Sequence, residues 1–361
     1  MSTMTPATPA PSAKPAGKRT AYIDILICMA TFAVVWLHTN GYAHSYSDRL
    51  AWKTALGVEV IAYWAVPIFF MVSGVNLMRY RERYSTREFL VKRVQKAVIP
   101  FVFWVALSYV LVTWARNDGL AWSDFTPRRI YEAFMNFEHM GIYWFFLALF
   151  AIYLAMPVLS LLRDHKKILW YIVIVGMTFD SVLPLLAQIL GLPWNHLLDF
   201  PLSGGRYILF PILGYLLADL ELPRWGRYTL YAAGLAAAAT RYIVTFVGST
   251  ERGETYRLLF DYVSIVSVVL AAAVFVLIKS IDWEPVMRVG FIRASVRQIT
   301  ACSLGIYLTH YFLIMWLLPR IGWTPDRIIT QTLGTVVVFL LALAIVSVLR
   351  LIPGVRKVLP G

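Results

Sequence analysis

Two histidines set inside long apolar runs are the residues of this chain best suited to chemistry. His38 closes the run AYIDILICMATFAVVWLH, fourteen residues after Asp24 and seven after Thr31. At 3.6 residues per turn the three share one helical face, a polar stripe along most of its length. An imidazole, with an ordinary pKa of about 6.5, can take a proton from a hydroxyl or accept an acyl group at neutral pH. The competing reading is a packing histidine satisfied by a neighbouring carbonyl. His310 follows Tyr307 by three residues in ACSLGIYLTHYFLI, on one face. That pair either lines a site or joins two helices by a hydrogen bond.

Charged residues in other apolar runs ask for partners, because an ion at membrane depth costs roughly 2.5 to 3.5 kcal/mol. Arg206 in GGRYILF and Arg241 in AAAATRYIVTF are fixed cations, with Asp180 and Asp261 as candidate counter-ions. Glu59 stands near a run boundary and could face the same cavity. The segment RYRERYSTREFLVKRVQK carries Arg79, Arg81, Arg83, Arg87, Lys92, Arg93 and Lys96. Membrane topology and anionic lipid explain such a run. The sharper reading is a phosphate-binding wall in which arginine grips phosphate oxygens two at a time.

These side chains need elements to hold them, and the composition says which kind. Of 361 residues 59% are hydrophobic and only 15% charged. A soluble domain carries about a quarter charged residues, so this is a polytopic membrane protein, not a disordered, fibrous or disulfide-stapled one. The net charge of +13 then reads as basic loops on the cytoplasmic side, and no nucleic acid is expected as a partner. Cys28 and Cys302 both lie in apolar runs without any metal-ligand spacing, so no metal is expected.

Runs long enough to cross a bilayer recur at 21–41, 57–78, 97–115, 142–162, 168–190, 205–220, 228–247, 258–279, 301–318 and 328–349. They predict an all-α bundle of about ten transmembrane helices. Lys and Arg concentrate in alternate loops, which puts both termini in the cytoplasm. Residues 1–18 read as a disordered cytoplasmic tail, 19–351 as the membrane domain and 352–361 as a second cytoplasmic tail. Continuous apolar runs exclude a β-barrel. No internal repeat is found, which argues against a transporter or a flippase for an envelope precursor.

In order along the chain stand YIDIL and VVWLHTN, AVPIFFMVSG, KRVQKAVIPFVFW, YWFFLALFAIYLAMPVL, FPILGYLLA and SLGIYLTHYFLI. This set resembles acyltransferase family 3, integral-membrane acyltransferases that include bacterial surface-polysaccharide O-acetyltransferases, over nearly the whole chain from Tyr22 to about Arg350. The resemblance implies a multi-pass protein of the bacterial plasma membrane. It implies that acetyl-CoA, or another acyl-CoA, is the cytoplasmic co-substrate and that a hydroxyl of an extracytoplasmic glycan or glycolipid is the acceptor. His38 matches the family's catalytic histidine, acting as general base or acyl carrier, with Asp24 on the same stripe. Arg79, Arg83, Arg93 and Lys96 would hold the donor. A turn at Ser73 and Gly74, Trp144 with Phe145, and Tyr307 with His310 would line the channel, with Glu59, Arg206 and Arg241 nearby. The chain departs from the family pattern twice. Ile27 stands eleven residues before His38, where many members carry a cation, and Ile142 replaces the histidine of a His-x-Trp-Phe pattern, with His139 close by. Another cation such as Arg206 or Arg241 would then substitute, or the chain would belong to a divergent subgroup or be inactive.

Overall fold

The computed structural model describes residues 16–137, 139–200 and 206–360. The described residues are helical with no strand. The first helix is α1 (Ala16–Thr39). It begins inside the stretch expected as a tail; residues 1–15 lie outside the described residues. Next come α2 (Leu50–Ala62) and α3 (Ala65–Leu77), separated by a break at Tyr63 and Trp64.

Helix α4 (Thr86–Arg93) starts on Ser85, whose Oγ accepts the Glu88 backbone N–H, so the basic segment is itself folded. A π turn at Val94–Val98 leads into α5 (Ile99–Asn117). The loop beyond holds α6 (Pro127–Met135). Then follow α7 (Trp144–Leu159), α8 (Lys166–Met177) and, past another π turn, α9 (Leu183–Ile189). The last part comprises α10 (Leu209–Asp219), α11 (Arg224–Arg252), α12 (Ile265–Ser280), α13 (Glu284–Arg288), α14 (Gly290–Phe312), α15 (Leu318–Arg320) and α16 (Thr335–Leu349).

Among the described residues, eight helical stretches are long and apolar enough to cross a membrane. The spans expected at 205–220 and 258–279 are shorter helices, α10 and α12. Eleven residues rise only about 16 Å, so α10 does not reach across the ~30 Å hydrocarbon core by itself. It is apolar all round because it is enclosed: Leu209 through Leu217 are all buried. Outward-facing Leu154, Val158, Ile174, Leu235 and Val348 are exposed, as side chains meeting lipid should be.

The turn expected at Ser73 and Gly74 lies within the continuous helix α3. Gly74 is there for contact. A Cβ on it would fall 1.8 Å from the Pro211 carbonyl oxygen, and one on Gly214 would fall 2.3 Å from that of Met71. These reciprocal glycines let α3 and α10 cross backbone to backbone, the small-residue packing common between membrane helices. The C-terminal stretch packs against the bundle. Leu359 is fully buried and the Trp104 indole donates to the Val358 carbonyl at 2.9 Å.

Candidate active site

Helices α1 and α14 lie side by side and run in the same direction in constant register. Cys28 faces Thr300 at 3.5 Å, Thr31 faces Ser303 at 2.7 Å, and His38 Nδ1 stands 2.7 Å from His310 Nε2. Each contact joins residues 272 apart, the mark of two parallel helices meeting along one seam. Thr31 gives its proton to the Ile27 carbonyl at 2.7 Å, so Ser303 is the donor in their pair.

The same reasoning assigns the imidazole protons. His310 Nδ1 lies 3.0 Å from the Ile306 carbonyl, which can only accept, so that nitrogen carries hydrogen. In the neutral ring its Nε2 must then accept, and the donor is His38 Nδ1–H. His38 Nε2 is left with a bare lone pair. His310 is fully buried while His38 is half-buried, its ring perpendicular to that of Tyr311 with centroids 5.7 Å apart. The arrangement is a base whose far nitrogen is anchored by a second histidine.

Below this pair is a cavity of about 200 Å³. Val34, one turn before His38, lines it with Phe69, Ser73, Phe145, Leu149 and Tyr307. The Tyr307 hydroxyl donates to the Ile142 carbonyl, and its ring lies 5.4 Å from Phe145 and 5.9 Å from His310. A second cavity of about 270 Å³ shares Phe69, Ser73, Lys96, Tyr153 and Ser303 with the first and extends it toward Asn76, Arg93 and Ile27. The two make one passage, aromatic at the histidine end and basic at the other.

The basic residues divide. Lys96 and Arg93 line the passage, Lys96 from the π turn, and the Arg93 guanidinium lies 5.5 Å from both the Phe89 and Tyr153 rings. The Arg93 Nε is buried without a hydrogen-bond partner. Arg79 is held by Asp219 at 3.3 Å and the Tyr215 hydroxyl at 3.2 Å, and Arg83 donates to the Asn76 carbonyl at 2.6 Å. Ile27 borders a chamber that Arg93 and Lys96 reach, whereas Arg206 and Arg241, the cations expected to substitute at that place, do not line it. Asp24 is fourteen residues from His38, about 21 Å along the axis, and its backbone carbonyl accepts from Thr300. The ring touching His38 is that of His310, a pairing that spacing within one segment does not reveal.

Glu59, Arg206 and Arg241 are gathered in a different place. Arg241 is 1% exposed and Glu59 4%, with Nη2 and Oε1 4.0 Å apart. The guanidinium lies 3.2 Å from the Tyr63 ring centroid and donates to Ser267. Arg206 pairs with Asp261 at 2.7 Å and donates to the Asp180 carbonyl at 2.6 Å, from a left-handed backbone with φ of 72°. Between these charges and the passage stands an aromatic row in which Trp144 meets Tyr207 at 5.5 Å and Tyr262 at 5.6 Å, and Tyr262 stacks on Tyr63 at 4.1 Å. Trp144 is thus part of the partition, while its neighbour Phe145 lines the passage. His44, beyond the end of α1, packs on Phe260 at 5.6 Å; burial, with Arg257 and Arg241 nearby, holds its pKa below the ordinary value.

No curated protein and no solved structure matches this chain. The acyltransferase-domain family matches residues 20–351, from the start of the first apolar run to the end of the last. With that coverage, and with a multi-pass helical bundle behind it, the chain belongs to acyltransferase family 3.

Proposed function

We propose that this protein is a membrane O-acyltransferase that takes an acyl group, acetyl in the simplest case, from cytoplasmic acyl-CoA and passes it to a hydroxyl of an extracytoplasmic cell-envelope glycan. The observation that carries the reading is the His38–His310 hydrogen bond above a passage whose other end holds Arg93 and Lys96. Both termini are taken as cytoplasmic, so the basic end faces the donor.

In this reading the donor phosphates rest against Arg93 and Lys96, and the acyl end extends up the passage toward Val34 and Tyr307. A sugar hydroxyl is barely ionised at neutral pH, so it needs a base as it attacks the thioester carbonyl. His38 Nε2 takes that proton, the C–S bond breaks, and the proton passes from His38 to the departing CoA thiolate. The imidazolium formed in between keeps its Nδ1–H on His310, which fixes the ring and shares the charge. Such a base contributes about 10² to 10⁴-fold.

Labelled acetyl-CoA supplied to inside-out vesicles tests the proposal. Label entering lipid-linked or polymeric glycan with wild-type protein, and lost in His38→Ala at equal membrane level, is expected. Equal transfer by His38→Ala would overturn the site assignment. Uptake of an envelope precursor without dependence on acyl-CoA would favour a transporter.

A further inference from the structure

A separate polar cavity of about 300 Å³, with no lining residue in common with the passage, lies between α5, α6 and the segment leading into α7. Helix α5 starts beside Lys96 and ends at Asn117, so this cavity opens on the face where α1 ends just past His38. Its acidic side chains are already satisfied. Asp124 takes Arg129 at 2.6 Å on one oxygen and the Ala121 N–H at 3.0 Å on the other, and Glu132 pairs with Arg128 at 2.8 Å.

What remains unmatched is specific. Arg116 lines the cavity and has no ion pair among the described residues. His139 is 6% exposed, lines the same cavity, and its Nε2 has no hydrogen-bond partner. Burial, with Arg116 beside it, pushes the His139 pKa down to about 4, so at neutral pH the ring is uncharged. A neutral imidazole nitrogen that is buried without a partner asks for one, and a sugar hydroxyl, which can both give and accept, suits Nε2 in either tautomer. Thr113 and Asn117 complete the wall with groups that can both give and accept. Phe137, two residues before the histidine, sits in the left-handed region at φ 54°, a conformation an aromatic residue rarely adopts.

We propose that this cavity binds an anionic glycosyl unit, its oxyanion on Arg116 and a neighbouring hydroxyl donating to His139 Nε2. The site would hold part of the acceptor outside the membrane, an assignment that rests on the acyltransferase reading. It is connected to the passage by a short stretch of chain: His139 lies 6.2 Å, ring to ring, from Tyr143, and the intervening Ile142 carbonyl receives the Tyr307 hydroxyl.

The test is equilibrium binding to full-length protein in lipid nanodiscs, without acyl donor, of glucuronic acid, glucose 1-phosphate and glucose. Saturable binding of one of the two anionic sugars, weakened at least tenfold in Arg116→Gln, is expected; which one binds distinguishes a carboxylated from a phosphorylated unit. His139→Leu should weaken the same ligand, and the exposed Arg116 site keeps the test independent of whether that core variant folds. Glucose binding as tightly as the anions, anionic binding unchanged by Arg116→Gln, or no sugar binding would each overturn the proposal. None of these results depends on His38, so the acyltransferase reading stands or falls separately in the vesicle assay.

Discussion

The bundle holds two buried polar clusters built on opposite principles. At His38–His310 the contact is between groups that can both be neutral, one ring anchored by a carbonyl and the other left with a free lone pair one helical turn from a cavity. At Arg241–Glu59 both groups are ionisable with opposite signs, both are almost wholly buried, and aromatic rings close over the guanidinium. A side chain that moves a proton needs an unsatisfied site facing space. A side chain that ties helices together needs enclosure. The difference teaches that depth in the membrane does not by itself mark chemistry.

Substitutions can break or sharpen that contrast. With His38 as the proposed base, His38→Ala should lower transfer by about 10² to 10⁴-fold while the amount of folded protein stays the same. Glu59→Leu should do the reverse, because stranding a buried Arg241 costs about 3 to 5 kcal/mol. Detergent-extracted protein should then melt earlier or aggregate, and Glu59→Leu combined with Arg241→Met should recover much of the loss. Recovery of stability without recovery of transfer would show that the ion pair also serves the reaction.

His310→Phe keeps ring volume but takes away the acceptor for His38 Nδ1–H. The expected outcome is a fall in kcat of about 10 to 100-fold, the worth of one hydrogen bond to a group that becomes charged, with KM for acyl-CoA little changed. A smaller effect belongs to Lys96→Gln, which should raise the acyl-CoA KM severalfold and reduce its sensitivity to salt. Smallest of all, Ile27→Arg should change turnover by less than about threefold, since Arg93 and Lys96 already reach that chamber. A large gain in turnover would show instead that those two cations do not substitute.

Much of the fold was legible in the apolar runs, because a bilayer imposes one length on any helix that must cross it. The misreadings have a common cause. Helix α10 is as apolar as a span but is shielded by protein, and hydropathy does not distinguish burial in lipid from burial in neighbours. Gly74 drew attention as a turn residue, whereas its role is set by Pro211 on a helix more than a hundred residues later. His38 stood out through its type and position. Its partner His310 stands out by type in the same way, but only the register of α1 against α14 joins them. Arg241 and Glu59 were visible as costly ions, and nothing in their local sequence says that an aromatic partition separates them from the passage.

The 272-residue separation of the two histidines has a consequence for how the protein is made. The ribosome delivers α1 to the membrane long before it has synthesised α14, by roughly 15 to 55 s at ordinary elongation rates. During that interval His38 has neither its partner ring nor the wall formed by Ser303, Leu304 and Tyr307. Under the function proposed above, a nascent chain would have no anchored base and no complete passage with which to waste an acyl donor, and capacity for the reaction would arrive only when the second helix of the seam inserts.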